Sequence, residues 1–185
     1  MTNLKAKYNY EMDPQELEEY VKKEEDKVIS KFEEHLAPCE GIEPVLAKLK
    51  HENKYFFAVV SSSALRRVKA SIIKVGQDKY FDLDHIYSAA SSLDKPTSKP
   101  DPAIYIHALR VIGKDASECV AIEDSKSGVG SATNAKIKTI GYVGPYEPEK
   151  RAEMGQKLME AGASIIMNDW SEFHKCIEAI EAGKV

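Results

Sequence analysis

An α/β fold, a parallel sheet with helices on both faces, is predicted by two features of the chain. From about residue 42 onward, short apolar runs alternate with helix-length amphipathic segments, and the connections between them are short. Runs such as Tyr55 to Val60 and Cys119 to Ile122 are apolar at successive positions, the pattern of strands buried on both faces.

The elements follow in order. From Asp13 to about His35, the residues Leu17, Tyr20, Val21, Val28, Ile29, Phe32 and Leu36 recur at helical spacing among many charges. Asp13 is placed as N-cap and Pro14 as first helical residue of this long helix or helix pair. After a turn at Pro38 to Gly41, a short helix is expected over Glu43 to His51. Strands are predicted at Tyr55 to Val60, His85 to Ser88, Cys119 to Ile122, Lys138 to Tyr142 and Ser164 to Met167. Helices are predicted at Ala64 to Val75, Pro102 to Val111, Ser127 to Ala135, Glu147 to Ala161 and Trp170 to Ile180.

Composition narrows the function classes. The 185 residues suffice for one domain with a real core. A formal charge of −4, mixed in sign along the chain, offers no broad basic face for nucleic acid. No apolar run approaches the roughly 20 residues of a membrane span, and Met1 to Tyr10 has no signal-peptide core, so a cytosolic setting is the expectation. Cys39, Cys119 and Cys176 are far apart and lack CxxC spacing, which suggests neither a disulfide framework nor a zinc site. The five histidines are likewise scattered without ligand spacing.

In a parallel α/β sheet, functional groups collect where strands end and helices begin. Ser61, Ser62 and Ser63 follow one strand directly and offer hydroxyls and backbone N–H groups to an anion, or simply cap the next helix. Arg66 and Arg67 open that helix and read as a solvated face. Lys99 lies in Thr97-Ser98-Lys99-Pro100-Asp101-Pro102, where Asp101 can cap a helix that Pro102 begins. A lysine there can offset phosphate charge, but Lys95 before Pro96 has similar local chemistry and spacing does not choose between them. Glu123 and Asp124 end an otherwise apolar strand as hard oxygen donors suited to Mg²⁺, and Gly128 and Gly130 let the next helix approach the sheet.

Taken together, V-V-S-S-S, S-K-P-D-P-A-I-Y, C-V-A-I-E-D-S-K-S-G-V and I-K-T-I-G-Y, in that order, resemble the haloacid dehalogenase-like hydrolases. The resemblance runs from about Pro38 to the C-terminus. It is nearest to the subgroup with a helical cap that contains beta-phosphoglucomutase and sugar-phosphate phosphatases. It implies a Rossmann-like core over residues 37–185 and a cap remnant over residues 1–36. It also implies that Ser61, with Ser62, hydrogen-bonds the phosphoryl group, and that Lys99 holds phosphate and nucleophile together. Asp124 would be the direct Mg²⁺ ligand with Glu123 supporting it, and the partner would be a small phosphorylated molecule.

One part of the family pattern is not found. The first motif, D-x-D-x-T or D-x-D-x-V, supplies an aspartate nucleophile and an aspartate acid/base. Asp82-Leu83-Asp84 has the spacing but sits ahead of a strand, and Asp13 has helix-cap chemistry. The chain is therefore expected to start after the first motif and its strand, and to be nearly inactive alone. The resemblance places that strand centrally, between those leading to Ser61 and Asp124. The gap is expected to be filled by Leu4 to Met12, by a partner's strand, which would make a dimer, or by direct closure of the two edges, with Leu4 to Met12 or direct closure preferred. Three functions stand open: a hydrolase of a small phosphate ester, impaired in this form; a non-catalytic relative that binds phosphate or a sugar phosphate; and a purely structural protein that keeps the motifs as caps and turns.

Overall fold

A computed structural model describes residues 13–185, and the chain divides into two compact units, 1–36 and 37–185. In the first, helix α1 runs over Pro14–His35 and buries none of its residues. Asp13 stands at its N-cap without a side-chain cap bond, and only the Asp13 carbonyl contributes, accepting from Leu17 N at 2.9 Å. Pairs at helical spacing, Glu19 with Lys23 and Lys31 with Glu34, decorate its surface.

The second unit contains α2 (Ile42–Glu52), β1 (Val59–Ser61), α3 (Leu65–Lys74), β2 (Ile86–Ser88), α4 (Ala103–Ile112), β3 (Val120–Glu123), α5 (Lys126–Asn134), β4 (Lys138–Tyr142), α6 (Pro148–Glu160), β5 (Ile165–Met167) and α7 (Phe173–Glu181). Single 3₁₀ turns occupy Leu83–His85, Ala116–Glu118 and Trp170–Glu172. Helices α2 to α6 and strands β2 to β5 lie within a residue or two of the spans that apolar periodicity predicts, while α7 begins three residues later than predicted, after the 3₁₀ turn Trp170–Glu172. Strand β1 is shorter than expected: its ladder is confined to Val59–Ser61 against β2. Upstream, Tyr55 donates its hydroxyl to Glu181 at 2.7 Å, and Phe57 packs on Phe81 with ring centroids 5.7 Å apart.

All strand pairing is parallel, but among the described residues it forms two sheets, β1-β2 and β3-β4-β5. Direct closure of β1 on β3, one of the expected solutions for the central gap, does not occur among these residues. Only at their C-terminal ends are the two edges bridged, by the Lys99 side chain. The alternative filler, Leu4 to Met12, lies outside the described residues.

Alternation along the strands divides the core between the sheet faces. Ile140, Tyr142 and Met167 pack with α2 and α7 through Val45, Leu46, Leu49, Phe173 and Ile177. Ala121 faces the other way and joins Ile104, Tyr105, Ala108 and Ala132 of α4 and α5. A third cluster, Val129, Val143, Leu158 and Ala163, seats α6. Leu158 is fully buried there, so Leu158→Ala should lower unfolding free energy by about 2–5 kcal/mol in urea denaturation, through lost transfer energy and the cavity left behind.

Candidate active site

The parallel register puts Ser61 level with Ser88 at the C-terminal end of the first sheet, and Glu123 level with Gly141 in the second. Lys99 joins the two ends. Its Nζ donates to the Val60 carbonyl at 2.9 Å and to Oε1 of Glu123. The side chains of Lys99 and Glu123 are only 9% and 10% exposed, so this is a buried pair spanning β1 and β3. Lys95 is exposed, which separates the two lysines that spacing leaves equivalent.

The loop carrying Lys99 is pinned from several directions. Ser131 Oγ donates to the Asp101 carbonyl at 2.7 Å and Asn134 Nδ2 to the Pro100 carbonyl at 3.3 Å, so α5 holds it from below. The Asp101 carboxylate accepts from Ala103 N at 2.8 Å, which places its capping one residue into α4, with Pro102 at the N-cap. The Lys99–Pro100 peptide is cis.

A second donor converges on the same carboxylate. The Tyr105 hydroxyl also donates to Oε1 of Glu123, and the Lys99 ammonium lies 5.0 Å from the centre of the Tyr105 ring. Burial first, then the charge and hydrogen bond of Glu123, push the Tyr105 phenol far above its ordinary range, so it stays protonated and donates. The other carboxylate oxygen, Oε2, lies against the bare Cα of Gly128, where a Cβ would overlap it. Sequence reasoning passes over Tyr105, because an aromatic at helical spacing beside Ile104 and Ala108 reads as core. The available signal is that a buried tyrosine needs a partner for its hydroxyl.

The serines do other work than capping. Ser61 Oγ accepts from Ser63 N at 3.1 Å, and Ser62 Oγ accepts from Lys99 N at 3.3 Å. Helix α3 takes its cap bond from a distant residue, Ser91, whose Oγ accepts from Leu65 N at 3.3 Å. Buried Ser88 donates its Oγ to the Ser63 carbonyl at 2.7 Å, tying the loop after β1 to the end of β2. Ser88 and Ser91 are further residues that local pattern does not flag.

Asp124 is exposed, and its backbone carbonyl accepts from the Tyr146 hydroxyl at 2.8 Å. Ser125 N-caps α5, accepting from Gly128 N at 3.0 Å. Among the described residues no three His, Cys, Asp or Glu side chains gather as a metal cluster. With Glu123 held by Lys99 and Tyr105, the edge offers one outward carboxylate, Asp124. That is too few for a self-sufficient divalent site, but fits an ion that keeps its waters and shares a phosphate.

Asp82 and Asp84 lie elsewhere. Asp82 caps the 3₁₀ turn ahead of β2, accepting from Asp84 N at 2.9 Å, so the D-x-D string is at the N-terminal end of a strand whose C-terminal end meets the site. The three cysteines are free, and burial is the first cause pushing each thiol up. None of them is poised as a nucleophile. A shallow recess of about 600 Å³ lined by Pro100, Lys126, Ser127, Gly130, Asn134 and Ala161 lies beside α5, and its lining includes none of Ser61, Lys99, Glu123 or Asp124.

The family model for haloacid dehalogenase-like hydrolases matches residues 2–142. The chain belongs to this family. It is 29% identical over 147 residues to a phosphorylated carbohydrates phosphatase of Thermotoga maritima, covering 80% of this chain and 63% of that one. It is 25% identical over 135 residues to beta-phosphoglucomutase of Bacillus subtilis, covering 72% and 55%. Less than two-thirds of either relative is spanned. A haloacid dehalogenase family hydrolase from Deinococcus radiodurans, solved with bound phosphate and sodium, superposes with a TM-score of 0.69 at 21% identity, over 97% of this chain and 74% of that one. The likeness to this last protein is one of fold. Among the described residues no helix is long and apolar enough to cross a membrane.

Proposed function

We propose that this haloacid dehalogenase-like chain recognises a small phosphate ester of the phosphorylated-carbohydrate class at the ends of β1 and β3, and that turnover by this polypeptide alone is impaired. The observation that carries this is the Lys99 ammonium fixed between Val60 and Glu123. Among the described residues two of its three N–H donors are used, which leaves one for an anion. Ser61 and the exposed Ser62 lie on the loop beside it and supply hydroxyls to phosphoryl oxygens. Mg²⁺, bound through Asp124 together with the phosphate, would supply further offset of negative charge. Residues 1–36 are proposed as the cap remnant.

Impairment follows from the carboxylates that are present. Within 4 Å of Lys99 Nζ the described carboxylate is Glu123, which is already bonded by two donors and held against Gly128. Asp82 and Asp84 are at the other end of the strand. Phosphoryl transfer through a covalent intermediate needs a free carboxylate in line with the ester, and loss of such a nucleophile removes most of the rate.

The test pairs turnover with binding. Release of phosphate from sugar phosphates and an aryl phosphate in the presence of Mg²⁺ should not exceed that of Asp124→Asn. Calorimetry with inorganic phosphate and Mg²⁺ should show binding that Asp124→Asn weakens. Turnover abolished by Asp124→Asn would overturn the impairment, and absence of both turnover and phosphate binding would overturn the phosphate site.

A further inference from the structure

We propose that Tyr105 is a positioning residue for Lys99: its hydroxyl, acting with the bare Cα of Gly128, locks the Glu123 carboxylate in the orientation that holds the Lys99 ammonium across the ends of β1 and β3. The proposal rests on Lys99 being the phosphate-contacting cation.

The geometry leaves the carboxylate little freedom. Lys99 Nζ and Tyr105 OH both donate to Oε1, while Oε2 fills the space a side chain at position 128 would need. The terminal torsion of a glutamate is broad when unconstrained. Here a quarter turn would break both hydrogen bonds to Oε1 and drive an oxygen into α5. A carboxylate held only by the lysine would turn with it, and the four-carbon stem of Lys99 would let the ammonium swing toward solvent.

Tyr105 touches the pair twice. Its ring face lies 5.0 Å from the ammonium and its hydroxyl reaches the carboxylate. The ring attracts the cation while the hydroxyl fixes the anion, and both contacts come from one side chain in the first turn of α4. Phenylalanine would keep the ring and remove only the hydroxyl, so Tyr105→Phe isolates the positioning contact from the packing.

The experiment uses lysine-¹⁵N-labelled full chain. A lysine ammonium held in a buried pair exchanges slowly enough to give a resolved ¹H–¹⁵N signal, and the Lys99 signal is identified by its loss in Lys99→Arg. In Tyr105→Phe this signal should broaden or disappear, and the dissociation constant for inorganic phosphate should rise about tenfold, the scale of one lost hydrogen bond to a charged group. Ile104→Val, a pure packing loss at the fully buried neighbour, should leave both readouts unchanged. An unchanged Lys99 signal in Tyr105→Phe would overturn the proposal, and so would a lost signal with unchanged phosphate affinity. Equal effects from Ile104→Val would also overturn it, by reducing Tyr105 to packing. If the wild-type chain binds no phosphate while the signal still depends on the hydroxyl, the phosphate reading of the site fails and the mechanical contact between Tyr105 and Lys99 stands.

Discussion

Lys99→Met should destabilise the chain by about 3–5 kcal/mol in ligand-free urea denaturation, a large share of the total stability of a domain of this size. The mechanism is the charge left behind. Glu123 is only 10% exposed on its side chain, and without the ammonium it keeps, among the described residues, one side-chain donor, the Tyr105 hydroxyl, for a buried negative charge. The Val60 carbonyl loses its lysine donor at the same time.

The pair itself contributes much less than its breakage costs, because forming it desolvates two ions. Lys99→Met combined with Glu123→Gln should therefore recover a substantial part of the loss, since the neutral amide can still accept from Tyr105 and leaves no uncompensated charge. A double-mutant cycle measures this directly. A single-mutant cost below about 1 kcal/mol would place the pair in the energetic class of solvent-exposed ion pairs and contradict the burial described here.

Periodicity makes the frame of the fold legible, and particular residues show where it stops. Strands β2 to β5 are readable because each is a short apolar run bounded by turn residues. The run from Tyr55 to Val60 reads equally well, yet only its end is laddered, since pairing depends on a neighbour that local sequence does not contain. Lys99 and Lys95 are chemically alike in sequence. What turns Lys99 inward is the path of its loop, set by Ser131 and Asn134 of a helix some thirty residues away. The serines after β1 read as caps by proximity, while the cap bond of α3 comes from Ser91, across 26 positions. The carboxylates at the end of β3 are visible in sequence as a pair. That Glu123 faces inward to Lys99 and Tyr105 and Asp124 stays exposed is a consequence of strand alternation and of the missing side chain at Gly128.

Gly128→Ala tests that last contact and should be destabilising by about 2–4 kcal/mol, although alanine is the better helix former. Position 128 lies in the first turn of α5, where replacing glycine would ordinarily gain up to about 1 kcal/mol. Against this, the new Cβ would overlap Glu123 Oε2 and come within 2.6 Å of its Cδ and 2.9 Å of Ser125 Oγ. A flexible glutamate would simply move aside. This one is bonded by Lys99 and Tyr105, and moving it costs charge-assisted hydrogen bonds of about 1.5–3 kcal/mol each. The two neighbouring glycines thus separate by what each would meet. Gly130→Ala brings its Cβ 3.3 Å from Pro100 Cβ, a tight but adjustable contact, and should change stability by less than about 1 kcal/mol. The decisive comparison is made in a Glu123→Ala background, where the obstructing carboxylate is gone. There Gly128→Ala should be close to neutral. If it remains as costly as in the parent chain, the glycine is required by the helix backbone or by Ser125, and the carboxylate is not what keeps position 128 free of a side chain.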